Sequence, residues 1–238
     1  MYKIALNHYI FLLPALIFFH LPGLYAQRLD TSAYGVPVLK QVADYHKLAK
    51  TDSCRRMVEL GSLAPGIRYD LRYATVNNFM HRQMYRPAPR VTDLRMPAAR
   101  ALAGVQKELN AKGYGLKIFD AYRPYSVTVD FWELVKDERY VANPTKGSGH
   151  NRGLAVDLTI IELSTGRELD MGTGFDDFTD TAHHSFEALS PAVLQNRKLL
   201  RETMERFGFT AIKTEWWHYY WDNDRGYEVL DLPFGKLR

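Results

Sequence analysis

The sequence predicts an α+β domain in which helices flank a mostly antiparallel sheet. Helical and strand patterns interleave along the chain without the regular alternation that is typical of a parallel sheet. The chain has 238 residues, of which 46% are hydrophobic and 24% charged, so it can bury a large core. Neither an internal repeat nor a linker-like stretch follows residue 26. One domain is therefore the simplest interpretation.

The first half of the predicted domain holds two strands and two helices. Residues 69–74 alternate in polarity like a strand. Apolar side chains at helical spacing predict a helix over 97–112, which Gly113 ends. A strand over 116–119 and a second helix over 126–136 follow.

The second half begins with the clearest strand, residues 153–161. Its aliphatic side chains alternate with small and polar ones, so the two sets face opposite sides of the sheet. Ser190 is a typical helix N-cap and Pro191 a typical first helical residue, and Gly208 ends that helix. The last predicted strand covers 215–221.

The amino-terminal residues are typical of a secretory signal. Residues 1–26 contain Lys3 near the start, an apolar stretch over 10–19, and Ala26 before Gln27. A membrane anchor is the alternative, but the apolar run is interrupted and falls short of the ~20 residues that a span needs. We expect a periplasmic or secreted protein, cleaved after Ala26, with no stable membrane span. Residues 27–57 are then expected to form an amino-terminal arm that packs on the domain.

The charge and the cysteine content exclude a nucleic-acid partner and an internal disulfide from our expectations. The net charge of +4 comes from scattered basic residues, so we expect a solvated surface and no nucleic-acid partner. Cys54 is the only cysteine and cannot form an internal disulfide. An exported protein without disulfides relies on its core or on a metal for stability. We expect Cys54 to be a partly buried thiol without a chemical role.

A histidine and an aspartate occur close to two glycines in the segment SGHNRGLAVD, residues 148–157. Asp157 lies in mid-strand and needs a partner, because burying an unpaired charge is costly. His150 is seven residues earlier, which on one continuous strand would place it on the opposite face. Gly149 and Gly153 allow the chain to bend, so that His150 and Asp157 can converge. Such a pair alone is more often a turn with a salt bridge than a metal site.

The aromatic segment EWWHYYW, residues 215–221, contains two further polar residues. A core strand explains the aromatic residues but not Glu215 and His218. Their spacing of three predicts a bulge or turn between them. Zinc hydrolases use three protein ligands, a water and a nearby carboxylate base. His150, Asp157 and His218 could supply the ligands, and Glu215 the base, although the HExxH motif is absent.

The third segment, DAYRP, covers residues 120–124 at the end of a predicted strand. Arg123 lies where that strand gives way to a helix. Arginine stays protonated at any relevant pH, so it can stabilise a developing oxyanion. A surface salt bridge is the alternative for this residue taken alone.

In this order, the three segments resemble the zinc D-Ala-D-Ala metallopeptidases. Two more groups of residues are similar to the VanX-type D-alanyl-D-alanine dipeptidases within that family. These are YDLRYAT with NNF, at 69–75 and 77–79, and MGTGFD with HH, at 171–176 and 183–184. The resemblance covers residues 58–232, and it implies that 58–238 is a zinc D,D-dipeptidase catalytic domain.

The resemblance implies one zinc ion per chain, in a cleft on the sheet, and a role for each matching residue. The implied sets are the metal ligands His150, Asp157 and His218, the catalytic residues Glu215 and Arg123, and the substrate-binding residues Ser148, Asp176 and Tyr73. Glu215 would act as base and then acid, and Arg123 would stabilise the tetrahedral intermediate. Asp176 would receive the free ammonium group of the dipeptide.

The implied activity is hydrolysis of the small D,D-dipeptide D-alanyl-D-alanine to free D-alanine. The same chemistry on longer peptidoglycan stem peptides, by a carboxypeptidase or endopeptidase, is the main alternative. Two histidines and a carboxylate also form the metal site of non-haem iron oxygenases. Those enzymes need no acid–base glutamate beside the last histidine. A cell-wall-binding module that has lost catalysis is the third alternative, although every catalytic position is filled.

Overall fold

The computed structural model describes residues 29–138, 141–222 and 225–238. The expected signal peptide, residues 1–26, lies outside the described residues. Within the described ranges, no helix is long and apolar enough to cross a membrane.

Helices and strands interleave through the described residues, as predicted. The strands are β1 (Asp30–Thr31), β2 (Pro37–Leu39), β3 (Met57–Glu59), β4 (Arg68–Tyr69), β5 (Asp93–Arg95), β6 (Tyr114–Asp120), β7 (Ala155–Glu162), β8 (Phe209–Ala211), β9 (His218–Trp221) and β10 (Val229–Leu230). The helices are α1 (Val42–Thr51), α2 (Leu60–Leu63), α3 (Met96–Asn110), α4 (Tyr125–Val135), α5 (Gly149–Arg152) and α6 (Pro191–Arg206).

The main sheet in the described part of the chain has five strands in the order β4-β6-β7-β9-β8. The β4–β6 pair is parallel and the other pairs are antiparallel, which confirms the predicted α+β class. The central strand β7 is buried on both faces rather than on one. Its register places Asp157 opposite Asp120 of β6 and opposite His218 of β9. Three residues that carry chemistry therefore lie side by side on adjacent strands.

The two long helices pack on this sheet, and their ends lie within two residues of the predicted ones. Apolar side chains of α3, among them Leu102 and Val105, join strand residues in the main core. At the start of α6, the Ser190 hydroxyl accepts a hydrogen bond from the Val193 N–H at 3.3 Å. Gly208, with φ +82°, follows the end of that helix. Spacing and caps were thus sufficient to locate both helices.

The strand predicted over residues 69–74 is wrong beyond Tyr69. The chain leaves the sheet there and forms a 3-10 turn at Arg72–Ala74. The Asn78 side-chain amide stabilises this turn by donating to the carbonyls of Arg72 and Thr75, at 3.1 and 2.8 Å. The alternation arises because Leu71 and Tyr73 point into the core, not because the segment pairs with a strand.

The amino-terminal arm is built into the domain over its described part. Strand β2 pairs in parallel with β10, near the other end of the chain, and β3 pairs with β5. A second apolar cluster joins Leu39 and Tyr45 of the arm to Leu230 and Leu237. The expected boundary after residue 57 therefore falls inside β3. Cys54 is half-buried and free.

The strand predicted over 215–221 is shorter than expected, and it is not the last. Residues 215–217 form a turn, and β9 begins at His218. The His218 N–H donates to the Glu215 carbonyl at 3.4 Å, so the predicted turn between these two residues is confirmed. Strand β10 follows later in the chain.

Candidate active site

A short helix brings His150 to the sheet. Ser148 caps α5, with its hydroxyl accepting from the Asn151 N–H at 3.2 Å. The helix ends at Arg152. Gly153 follows it with a φ of +69°, which is strained for any side chain, and the chain turns there toward β7. At Gly149, a Cβ would lie 2.7 Å from the Tyr220 ring. The predicted convergence of His150 and Asp157 is confirmed, by way of this helix rather than a loop.

The three expected metal ligands form one cluster. His150 Nε2 lies 3.3 Å from His218 Nδ1 and 3.5 Å from an Asp157 oxygen. The other Asp157 oxygen lies 2.9 Å from His218 Nδ1. Ligands at 2.0–2.1 Å from a tetrahedral zinc ion would be roughly 3.3 Å apart. The cluster therefore fits a metal ion in donor type and in spacing.

The protonation states of His150 and Asp157 also suit metal binding. His150 Nδ1 donates to the Ala121 carbonyl at 2.7 Å, so its Nε2 carries the free lone pair. Burial lowers the pKa of His150 to about 3, which keeps the ring neutral. Burial would raise the pKa of Asp157, but His150 and His218 outweigh it and hold that pKa below its usual value. Burial lowers the pKa of His218, but the charge of Asp157 more than offsets this effect, so a metal ion would have to displace a proton from this ring.

Glu215 lies at the edge of the cluster, on the turn before β9. One carboxylate oxygen is 3.9 Å from His218 Nδ1, and the side chain is 20% exposed. Burial raises the pKa of Glu215, and the charge of Asp157 raises it further. A partly accessible carboxyl group with a raised pKa beside a metal site can accept and return a proton.

Arg123 is buried and paired, so the surface salt bridge considered for it is wrong. Its Nε and Nη2 donate to one oxygen of Asp120, at 3.0 and 2.7 Å. Its guanidinium carbon lies 5.1 Å from the Tyr73 ring centre and 4.9 Å from that of Phe131. Burial raises the pKa of Asp120 to about 6, against the opposing charge of Arg123. A fixed cation in such a setting can stabilise negative charge that develops nearby.

Two of the three expected substrate residues belong to the same site. The Tyr73 hydroxyl donates to both carboxylate oxygens of Asp176, each at 3.1 Å. Burial, reinforced by the charge of Asp157, raises the pKa of Asp176 well above its usual value. Asp176 also has a φ of +60°, a rare backbone state for a residue other than glycine. Ser148 is occupied as the helix cap, and its role at the substrate stays a prediction.

Sequence reasoning missed the group that completes the Arg123 pair. The Tyr85 hydroxyl donates to the second oxygen of Asp120 at 2.6 Å, and both side chains are buried. Asp120 lies in the DAYRP segment, where a carboxylate three residues before an arginine could have suggested the ion pair. Tyr85 lies outside every motif, so no local signal indicated it.

The family model and the relatives that match this chain are D-Ala-D-Ala dipeptidases, in agreement with the resemblance seen in its motifs. The Peptidase_M15 family model, described as D-ala-D-ala dipeptidase, matches residues 53–232. The chain is 35% identical to a D-alanyl-D-alanine dipeptidase of Escherichia coli, over 75% of this chain and 91% of that one. It is also 35% identical to one of Enterococcus faecalis, over 74% of this chain and 92% of that one. A solved D,D-pentapeptidase VanY with Zn(II) is 19% identical over 54% of this chain and 72% of that chain, with a TM-score of 0.34.

Proposed function

This chain belongs to the D-Ala-D-Ala dipeptidase family of M15 peptidases, and on that premise we propose that it hydrolyses D-alanyl-D-alanine to D-alanine with one zinc ion. The observation that supports this most is the His150–Asp157–His218 cluster with Glu215 at its edge. Membership of a peptidase family argues against the iron oxygenase alternative. The presence of Glu215 argues against it independently, because an oxygenase needs no acid–base glutamate there.

His150, Asp157 and His218 would hold the zinc ion. When bound there, zinc supplies Lewis acidity and lowers the pKa of a water toward ~7. Glu215 accepts a proton from the attacking water and returns it to the leaving amine. Arg123, held rigidly by Asp120, stabilises the negative charge of the tetrahedral oxygen.

The free ends of the dipeptide are the features that distinguish it from a longer peptide. Asp176 offers a buried carboxylate whose ionised form is disfavoured until a cation arrives. A substrate ammonium would supply that cation and form an ion pair with Asp176, whereas an acylated nitrogen would leave the carboxyl protonated and form no ion pair. The site therefore favours a free amino end.

The proposed function is tested by measuring D-alanine release from three substrates by the purified, zinc-loaded chain. These are D-Ala-D-Ala, its N-acetyl form and a stem pentapeptide that ends in D-Ala-D-Ala. We expect the free dipeptide to be cleaved much faster than the other two. Faster cleavage of the pentapeptide would instead support the carboxypeptidase or endopeptidase alternative.

We expect Asp176→Asn to lower kcat/KM for D-Ala-D-Ala by roughly ten- to a hundredfold, the effect of one charge-assisted contact. The rate advantage of the free dipeptide over N-acetyl-D-Ala-D-Ala should narrow, because a neutral amide cannot form an ion pair with the ammonium. Asp180→Asn is the matched control, since the Asp180 side chain is 91% exposed. Unchanged preference for the free dipeptide in Asp176→Asn would show that another group reads the ammonium.

We also propose that the mature protein is periplasmic or secreted and begins at Gln27. The support is the basic start, apolar stretch and small residue of 1–26. Mass spectrometry of the protein expressed in a Gram-negative host should find Gln27 at the amino terminus, in the periplasm or the medium. Retention of Met1 in a membrane fraction would contradict this.

A further inference from the structure

A chain of buried hydrogen bonds connects Tyr85 to Arg123. Tyr85 donates to Asp120 Oδ1 at 2.6 Å, and Asp120 Oδ2 accepts two hydrogen bonds from Arg123. Tyr85 is 1% exposed and Asp120 is fully buried. Without the tyrosine hydroxyl, Asp120 Oδ1 would lose the hydrogen bond that the structure gives it, which is costly for a buried carboxylate.

The surroundings of Tyr85 hold its hydroxyl in one place. Its ring centre lies 4.9 Å from that of Phe234 and 5.9 Å from that of Tyr73. The N–H groups of Met84 and Tyr85 both donate to the Tyr73 carbonyl at 2.9 Å. Because Tyr85 is held in place by these contacts, its hydroxyl fixes the rotation of the Asp120 carboxylate.

The orientation of Asp120 in turn determines that of Arg123. Both hydrogen bonds from the guanidinium go to Asp120 Oδ2, so rotation of the carboxylate would move that acceptor. The rings of Tyr73 and Phe131 contact the guanidinium but offer it no acceptor in the plane. Asp120 is thus the group that sets the direction of the remaining guanidinium donors.

We propose that Tyr85 is a positioning residue for catalysis, which acts through Asp120 to hold Arg123 toward the tetrahedral oxygen. This inference rests on the function proposed above. Tyr85 contacts neither substrate nor metal ligands in this role. Its effect should appear in the transition state rather than in ground-state binding, because the oxyanion exists only there.

The test compares Tyr85→Phe with Tyr45→Phe in the zinc-loaded enzyme. Tyr45 is the matched control, because it is equally buried and its hydroxyl donates to the Leu237 carbonyl at 2.9 Å, away from the site. For Tyr85→Phe, we expect kcat on D-Ala-D-Ala to fall about tenfold with KM nearly unchanged, less than the ~10²-fold cost of a 1 Å misplacement. Tyr45→Phe should keep the wild-type kcat. Melting curves of both variants establish that they are folded.

A second arm separates positioning from a general loss of structure. In an Arg123→Ala background, Tyr85→Phe should cause no further loss of kcat, since the residue that it positions is absent. A phosphinate analogue of the dipeptide should bind Tyr85→Phe more weakly by about the same factor as kcat falls.

Failure of the positioning role and failure of the proposed function would give different results. Equal kcat values for folded Tyr85→Phe and wild type, or an equal Tyr85→Phe effect with and without Arg123, would overturn the positioning role. A zinc-loaded wild type that does not cleave D-Ala-D-Ala would contradict the proposed function instead. In that case the binding of the phosphinate analogue to Tyr85→Phe and wild type still decides the role of Tyr85.

Discussion

Glu215→Gln is expected to lower kcat on D-Ala-D-Ala by roughly 10²- to 10⁴-fold, the usual contribution of a general acid–base group. The amide has almost the shape of the carboxylate but cannot take up the proton. Glu215 is not one of the clustered ligand residues, so the variant should keep its zinc. The measurements are steady-state D-alanine release and metal content per chain.

The control for this variant is Glu202→Gln on α6. The Glu202 side chain is about half exposed and makes an ion pair with Lys198 at 3.7 Å, so kcat should not change. Near-normal turnover of zinc-replete Glu215→Gln would show that another group moves the proton. Loss of zinc from Glu215→Gln would instead make Glu215 part of the ligand set.

The site was predictable where its residues share one short segment. The odd spacing of His150 and Asp157 and the two glycines indicated a bend, and the structure has it at α5 and Gly153. The spacing of Glu215 and His218 indicated a turn, which is also present. In each case the constraint is local backbone geometry, so sequence alone could supply it.

The remaining features depend on tertiary contacts. Tyr85 meets Asp120 across 35 positions, and nothing near Tyr85 in sequence specifies that contact. In the arm, Val38 of β2 pairs with Val229 of β10, about 190 residues away in sequence, so no local pattern could predict the pairing. Residues 69–74 alternate like a strand, but a strand also needs a partner. Strand β6 pairs with Arg68 and Tyr69 and accepts a hydrogen bond from the Asp70 N–H, and the chain then turns away from it.

Removal of the metal is expected to lower both the stability of the fold and the activity of the enzyme. A ligand that binds only the folded chain stabilises it by about 4.1 kcal/mol at a thousand times its Kd. For a chain of this length, a chelator should then lower the Tm of the zinc-loaded wild type by about 10 °C. Activity should fall with zinc content and return when zinc is added. Differential scanning calorimetry and metal analysis measure both.

Substitution of the proposed ligands tests whether they hold the metal whose removal lowers the Tm. His218→Ala and Asp157→Ala each remove one donor of the three, so they should purify without stoichiometric zinc and show almost no Tm shift with chelator. Glu215→Gln should keep the full shift, because its role is proton transfer. A full chelator shift in His218→Ala would place the metal elsewhere. His150 Nε2, His218 Nδ1 and the Asp157 oxygens lie 2.9–3.5 Å apart, so they form one site. Loss of one of its three donors leaves two, which is too few for a zinc site of the usual kind.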